Sequence, residues 1–73
     1  MLFTDVSSER AIKAFNKAGF EIIKQGKHTS MAKGKTIIVI PRHKRLNPYT
    51  LKTIIKRSGL SDEEFKELLW KLE

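Results

Sequence analysis

The sequence predicts a small α+β domain in the order α-β-β-β-α-α, a three-stranded antiparallel sheet with its helices on one face. Three observations lead there. Apolar residues recur at helical spacing near both ends of the chain, a β-branched run Thr36-Ile37-Ile38-Val39-Ile40 lies between them, and glycine or proline stands where the period changes. The first helix carries Ala11, Ile12, Phe15 and Ala18 on one stripe, with Ser7 or Ser8 as N-cap and Gly19 as the residue that ends it. Phe20 to Gln25 reads as a short strand stopped by Gly26. A second strand, about His28 to Lys33, turns at Gly34-Lys35 into the β-branched run, which Pro41 closes. Asn47 then caps a helix with Pro48 at its first position and Leu51, Ile54 and Ile55 on one face; Gly59 ends it. Ser61-Asp62-Glu63-Glu64 is a capping box for a last helix whose core stripe is Phe65, Leu68, Leu69 and Leu72.

Length and composition bound what such a chain can do. Its 73 residues make one domain, 1–73, with a core just sufficient to fold without metal or disulfides. There is no cysteine, which removes disulfides and thiolate metal sites. No apolar run reaches membrane-spanning length, and Met1-Leu2-Phe3 is followed at once by Thr4-Asp5 rather than by a signal-peptide pattern. The expected location is the cytoplasm, away from membranes, and no cofactor is expected.

Charge is more informative in its distribution than in its total of +7. Between Glu21 and Asp62 there are ten lysines and arginines and not one carboxylate; the rest of the chain has five cations and eight acids. A basic surface can serve solubility alone. A field of one sign this concentrated also suits a polyanion, whose bound counterions are released as its phosphates are neutralised.

If Gly34-Lys35 is a two-residue turn, Lys33 faces Thr36, Met31 faces Ile38, Thr29 faces Ile40 and His28 faces Pro41. Met31, Ile38 and Ile40 then lie on the core face, while His28, Ser30, Ile37 and Val39 lie on an open face. A slip of one residue would reverse the two. In this register Arg42 and His43 fall within about two residues of His28, roughly 7 Å along a strand.

Metal-assisted phosphodiester cleavage needs clustered carboxylates. The basic half has none, which argues against a metal-dependent DNase. RNA offers its own nucleophile, the 2′-hydroxyl, and needs from the protein only proton transfer and cations around the developing phosphorane charge. Histidine suits the first role and lysine and arginine the second. His28 is therefore the candidate for proton transfer, against the alternative of a surface histidine without a role. Candidates for RNA contact are Lys24, Lys27, Lys35, Arg42, His43, Lys44 and Arg45; a scheme with two histidines would have to use both His28 and His43. Base-stacking platforms place aromatics on strands, and here only Phe20 is so placed. Tyr49 is expected to pack near its helix start, and Trp70, off the last helix's main stripe, to seal an edge or meet a partner.

Five segments stand out in order and spacing: Gly19-Phe20, Gly26-Lys27-His28, Ile40-Pro41-Arg42-His43, Asn47-Pro48-Tyr49-Thr50-Leu51, and Ile54-Ile55-Lys56-Arg57-Ser58-Gly59-Leu60-Ser61 with Glu63-Glu64-Phe65. Together they resemble the HicA toxins, the YcfA-like mRNA interferases of HicA–HicB toxin–antitoxin pairs. The resemblance covers nearly the whole chain. It implies a fold similar to double-stranded-RNA-binding domains, metal-independent cleavage of mRNA, a catalytic histidine at His28, and a HicB-type antitoxin that covers the active face. Two features depart from the family pattern. Lys27 stands where serine is usual, and Thr29-Ser30-Met31 follows His28 where some members have a second histidine and an aromatic. The reading is an endoribonuclease toxin. Its rivals are a non-catalytic RNA-binding module of the same fold and an interaction protein that docks a partner on Ile37 and Val39.

Overall fold

The computed structural model describes residues 2–71. Its elements are α1 (Ser8–Lys17), β1 (Glu21–Gln25), β2 (His28–Lys33), β3 (Thr36–Pro41), α2 (Pro48–Ser58) and α3 (Asp62–Trp70). The sheet is antiparallel in the order β1-β2-β3. This is the predicted α+β architecture, and it is consistent with the double-stranded-RNA-binding type of fold.

Each helix begins where its sequence signals say, and α1 and α2 also end at their glycines. Ser7 caps α1, its hydroxyl accepting from the Arg10 N–H. Asn47 Oδ1 accepts from the N–H groups of Tyr49 and Thr50 at the start of α2, and Pro48 occupies a position whose N–H no helix bond would use. Gly59 ends α2 at φ 86°, a left-handed conformation that a side chain would resist. The Ser61–Glu64 capping box of α3 is complete in both directions.

Aromatic and aliphatic residues from all layers fill the core. Phe15 of α1 lies 5.0 Å from Phe65 of α3 and 5.8 Å from Phe20, centroid to centroid. Met31, Ile38 and Ile40 come up from the sheet, Leu51, Ile54 and Ile55 from α2, and Leu69 from α3, all buried. Leu68 is partly buried against this cluster; Leu72 lies outside the described residues.

The β2–β3 register is the predicted one at every pair: Lys33↔Thr36, Met31↔Ile38, Thr29↔Ile40 and His28↔Pro41. Gly34 takes φ 60° at the first position of the two-residue turn, where a hairpin of this type needs a residue tolerant of positive φ. Three details differ from expectation. β1 starts at Glu21, because the Phe20 N–H is bonded to Phe15 O and its carbonyl accepts from the Asn16 amide, so Phe20 belongs to the α1 cap and the core. β3 includes Pro41, which sits on an edge strand where its missing N–H costs no ladder bond. Tyr49 does not pack: it is 69% exposed on the outer side of α2.

One irregularity had no signal in the sequence. β1 pairs Ile22 with Met31 but Lys24 with Ser30, so Ile23 is an extra residue, a β-bulge. The bulge resets the alternation and puts Lys24 on the side of Ser30, the face without helices.

Candidate RNA-cleaving face

The open face follows from the helices' all packing on the other one. Along β2 the period of two buries Thr29 and Met31 and leaves His28 exposed and Ser30 partly so; along β3 it buries Ile38 and Ile40 and exposes Ile37 and Val39. His28 is the first residue of β2, at the end of the sheet where the β1–β2 turn and the chain leaving β3 come together.

Two hydrogen bonds shape that end. The Gly26 N–H donates to the His28 carbonyl at 3.1 Å, closing the turn tightly beneath the histidine. Arg42 Nη1 donates to the Gly26 carbonyl at 3.2 Å, which ties the segment after β3 back onto the same turn. The guanidinium is thereby held against the Gly26-Lys27-His28 corner while remaining solvent-exposed. Lys24, opposite Ser30, is diagonal to His28 across the β1–β2 pair, about 7–8 Å away by sheet geometry. Lys27 is the exposed residue between Gly26 and His28.

His43, Lys44 and Arg45 follow a different course. The Ser8 N–H donates to the His43 carbonyl at 3.0 Å, and the Leu46 N–H to the Val6 carbonyl at 2.8 Å. The loop is thus stitched to the N-terminal segment by main-chain bonds. Arg42, His43 and Lys44 share a shallow groove with Ser7, Ser8 and Glu9, at the start of α1. Helix N-terminal N–H groups carry partial positive charge and add to the field of that groove. Arg45 is paired with Asp5 at 2.9 Å; both side chains are more than 70% exposed, and an ion pair so solvated is weak enough to exchange with a phosphate. Asp5 itself adopts φ 58°, a conformation aspartate tolerates better than most residues.

Lys35 is elsewhere. It lies in the β2–β3 turn, at the far end of the hairpin, roughly 17 Å along the strand from His28. Lys33 serves the fold instead. Its Nζ donates to the Ala18 carbonyl at 2.8 Å and its chain lies over Gly19, so that a Cβ at position 19 would press on it at 3.2 Å. The groove partners Ser7, Ser8 and Glu9 escaped sequence reasoning because backbone-to-backbone bonds bring them to the loop, and such bonds have no side-chain signature. Among the described residues no three acids or histidines gather as metal ligands, and no helix is long and apolar enough to cross a membrane.

The α-β-β-β-α-α order, with one sheet face left uncovered by the helices, defines a small α+β domain consistent with the double-stranded-RNA-binding type of fold. Residues 8–60 match the family model described as the HicA toxin of bacterial toxin–antitoxin systems. The chain belongs to the HicA toxin family, and membership implies an antitoxin partner. Comparison with curated proteins gives no match.

Proposed function

We propose that this toxin is a metal-independent endoribonuclease that cleaves mRNA at the His28 corner and is silenced by a HicB-type antitoxin. The observation that carries the reading is the exposed His28 at a tightly closed turn, with the Arg42 guanidinium bonded to the same turn. In this scheme the RNA 2′-hydroxyl attacks the adjacent phosphorus and the P–O5′ bond breaks. One proton leaves the 2′-oxygen and one is gained by the 5′-oxygen, giving a 2′,3′-cyclic phosphate and a 5′-hydroxyl end. His28 performs one of these transfers. Arg42, Lys24 and Lys27 supply positive charge around the phosphorane oxygens, whose charge grows toward the transition state. His43 and Lys44 hold a flanking phosphate along the groove at the start of α1, and Arg45, outside the groove, takes another when it exchanges Asp5 for phosphate. Lys35, at the other end of the hairpin, reaches only RNA that extends along the sheet.

The test is cleavage of a long mRNA in EDTA by the wild type and by His28→Ala, with folding of both checked by circular dichroism. Wild-type cleavage reduced by about 10²–10⁴ in the variant supports the assignment. RNA binding by both proteins with cleavage by neither makes the domain a non-catalytic RNA-binding module. Undiminished cleavage by His28→Ala moves the chemistry to another residue, with His43 next in line.

A further inference from the structure

The two edges of the sheet are built differently. β1 is broken by the bulge at Ile23 and carries Glu21 and Lys24, features that discourage a further strand from pairing with it. β3 has neither protection. From Thr36 to Ile40 it is uncharged and β-branched throughout, and it pairs with β2 without a register shift, so its backbone is regular. Ile37 and Val39 are 53% and 43% exposed. The sheet ends at β3, so among the described residues no strand neighbours its outer row of backbone groups. Such an edge is a template for strand addition.

Charge selects the occupant. Lys35 precedes the strand and Arg42 follows it, both exposed. A second copy pairing antiparallel about Ile38, which sets the outward backbone groups of Ile37 against those of Val39, would bring Lys35 beside Pro41-Arg42 at both ends and join two chains of net charge +7. We propose that the outer edge of β3 receives an extended strand of a partner protein that is apolar at alternate positions and acidic at its two ends. The alternate apolar side chains extend the exposed row of Ile37 and Val39; one terminal acid meets Lys35, and the other lies in the positive field of the Arg42–Arg45 loop, since the Arg42 guanidinium itself is turned to Gly26. The added strand lies about 10 Å from β2, so the partner's body stands at the rim of the His28 corner. The proposal deepens the antitoxin part of the reading above and does not depend on RNA cleavage.

The probe is a synthetic seven-residue peptide of alternating valine and threonine with aspartate at each end, titrated into ¹⁵N-labelled protein. The expected result is slowed amide exchange at Ile37 and Val39, the β3 residues whose N–H groups face away from β2, and none within Glu21–Gln25. Replacing the terminal aspartates by lysines, or the protein by the Ile37→Lys/Val39→Lys double variant, should weaken binding at least about tenfold. Equal binding of the lysine-ended peptide, protection at β1, or no protection of β3 at millimolar peptide overturns the proposal. So does β3 protection that rises with protein concentration alone, which would make the occupant a second copy. Cleavage by wild-type protein is read separately, so failure of the ribonuclease assignment leaves this result standing.

Discussion

The two faces of the β2–β3 hairpin are made by the same two strands and have opposite physics. On the covered face Thr29, Met31, Ile38 and Ile40 are at most 1% exposed; one position away along each strand, His28, Ile37 and Val39 meet solvent. The covered face is decided by volume and shape, since a packed interior penalises any lost methylene. The open face meets solvent, so charge matters there more than shape, and it is nearly indifferent to volume. Stability and activity in this toxin should therefore respond to different members of neighbouring residue pairs.

The largest test of that separation compares Ile38→Ala with Val39→Ala. The first should cost about 2–5 kcal/mol in urea unfolding, which for so small a domain approaches its whole stability. The second should stay within about 0.5 kcal/mol. Equal losses would show that both faces are buried in solution. A smaller effect probes the helix layer alone: Ser61→Ala removes the α3 cap and should cost about 1 kcal/mol while leaving RNA affinity unchanged. A change in affinity would mean that the layers are coupled. On the open face, Arg42→Gln should leave the unfolding midpoint within error and flatten the salt dependence of RNA binding by about 0.7–0.9 in log–log slope, one phosphate contact. An unchanged slope would remove Arg42 from the phosphate-binding set.

The smallest expected effect follows pH. The Ser61 backbone N–H, and after it the Ser61 hydroxyl, hold the Glu64 carboxyl below the usual glutamate range, with Lys33 adding attraction. A carboxyl whose folded value is lowered contributes stability that is complete above its unfolded value and is lost as pH falls through the folded one. NMR titration should find Glu64 protonating below the usual glutamate range on acidification. Protonation within that range would mean that the cap is open in solution.

Most of the fold was legible because its signals are local. Gly19, Gly59, Asn47-Pro48 and the Ser61–Glu64 box each act within a few residues, and a two-residue turn at Gly34-Lys35 fixes the whole register of β2 against β3. The same register places His28 on the open face, where the structure has it exposed. Harder to read was whatever depends on contacts between distant segments. The bulge at Ile23 arises from pairing with β2 and has no glycine or proline to announce it. Tyr49 was expected to pack because it is aromatic, but it starts α2 on the side opposite Leu51, Ile54 and Ile55, where nothing covers it. The groove at the start of α1 depends on main-chain bonds between Ser8 and His43 and between Val6 and Leu46, partners far apart in the chain, which composition cannot encode.

Those main-chain bonds also set how the basic loop moves. They fasten the loop to a segment that leads directly into α1, and Val6 and Leu46 are both buried. Opening the loop therefore means peeling the start of the chain off the core, so its amides should exchange with the α1 unit rather than as a fraying surface turn. Under the proposed function, a loop already ordered before RNA arrives would spare the complex the entropy of ordering it and leave the binding free energy for positioning the phosphate.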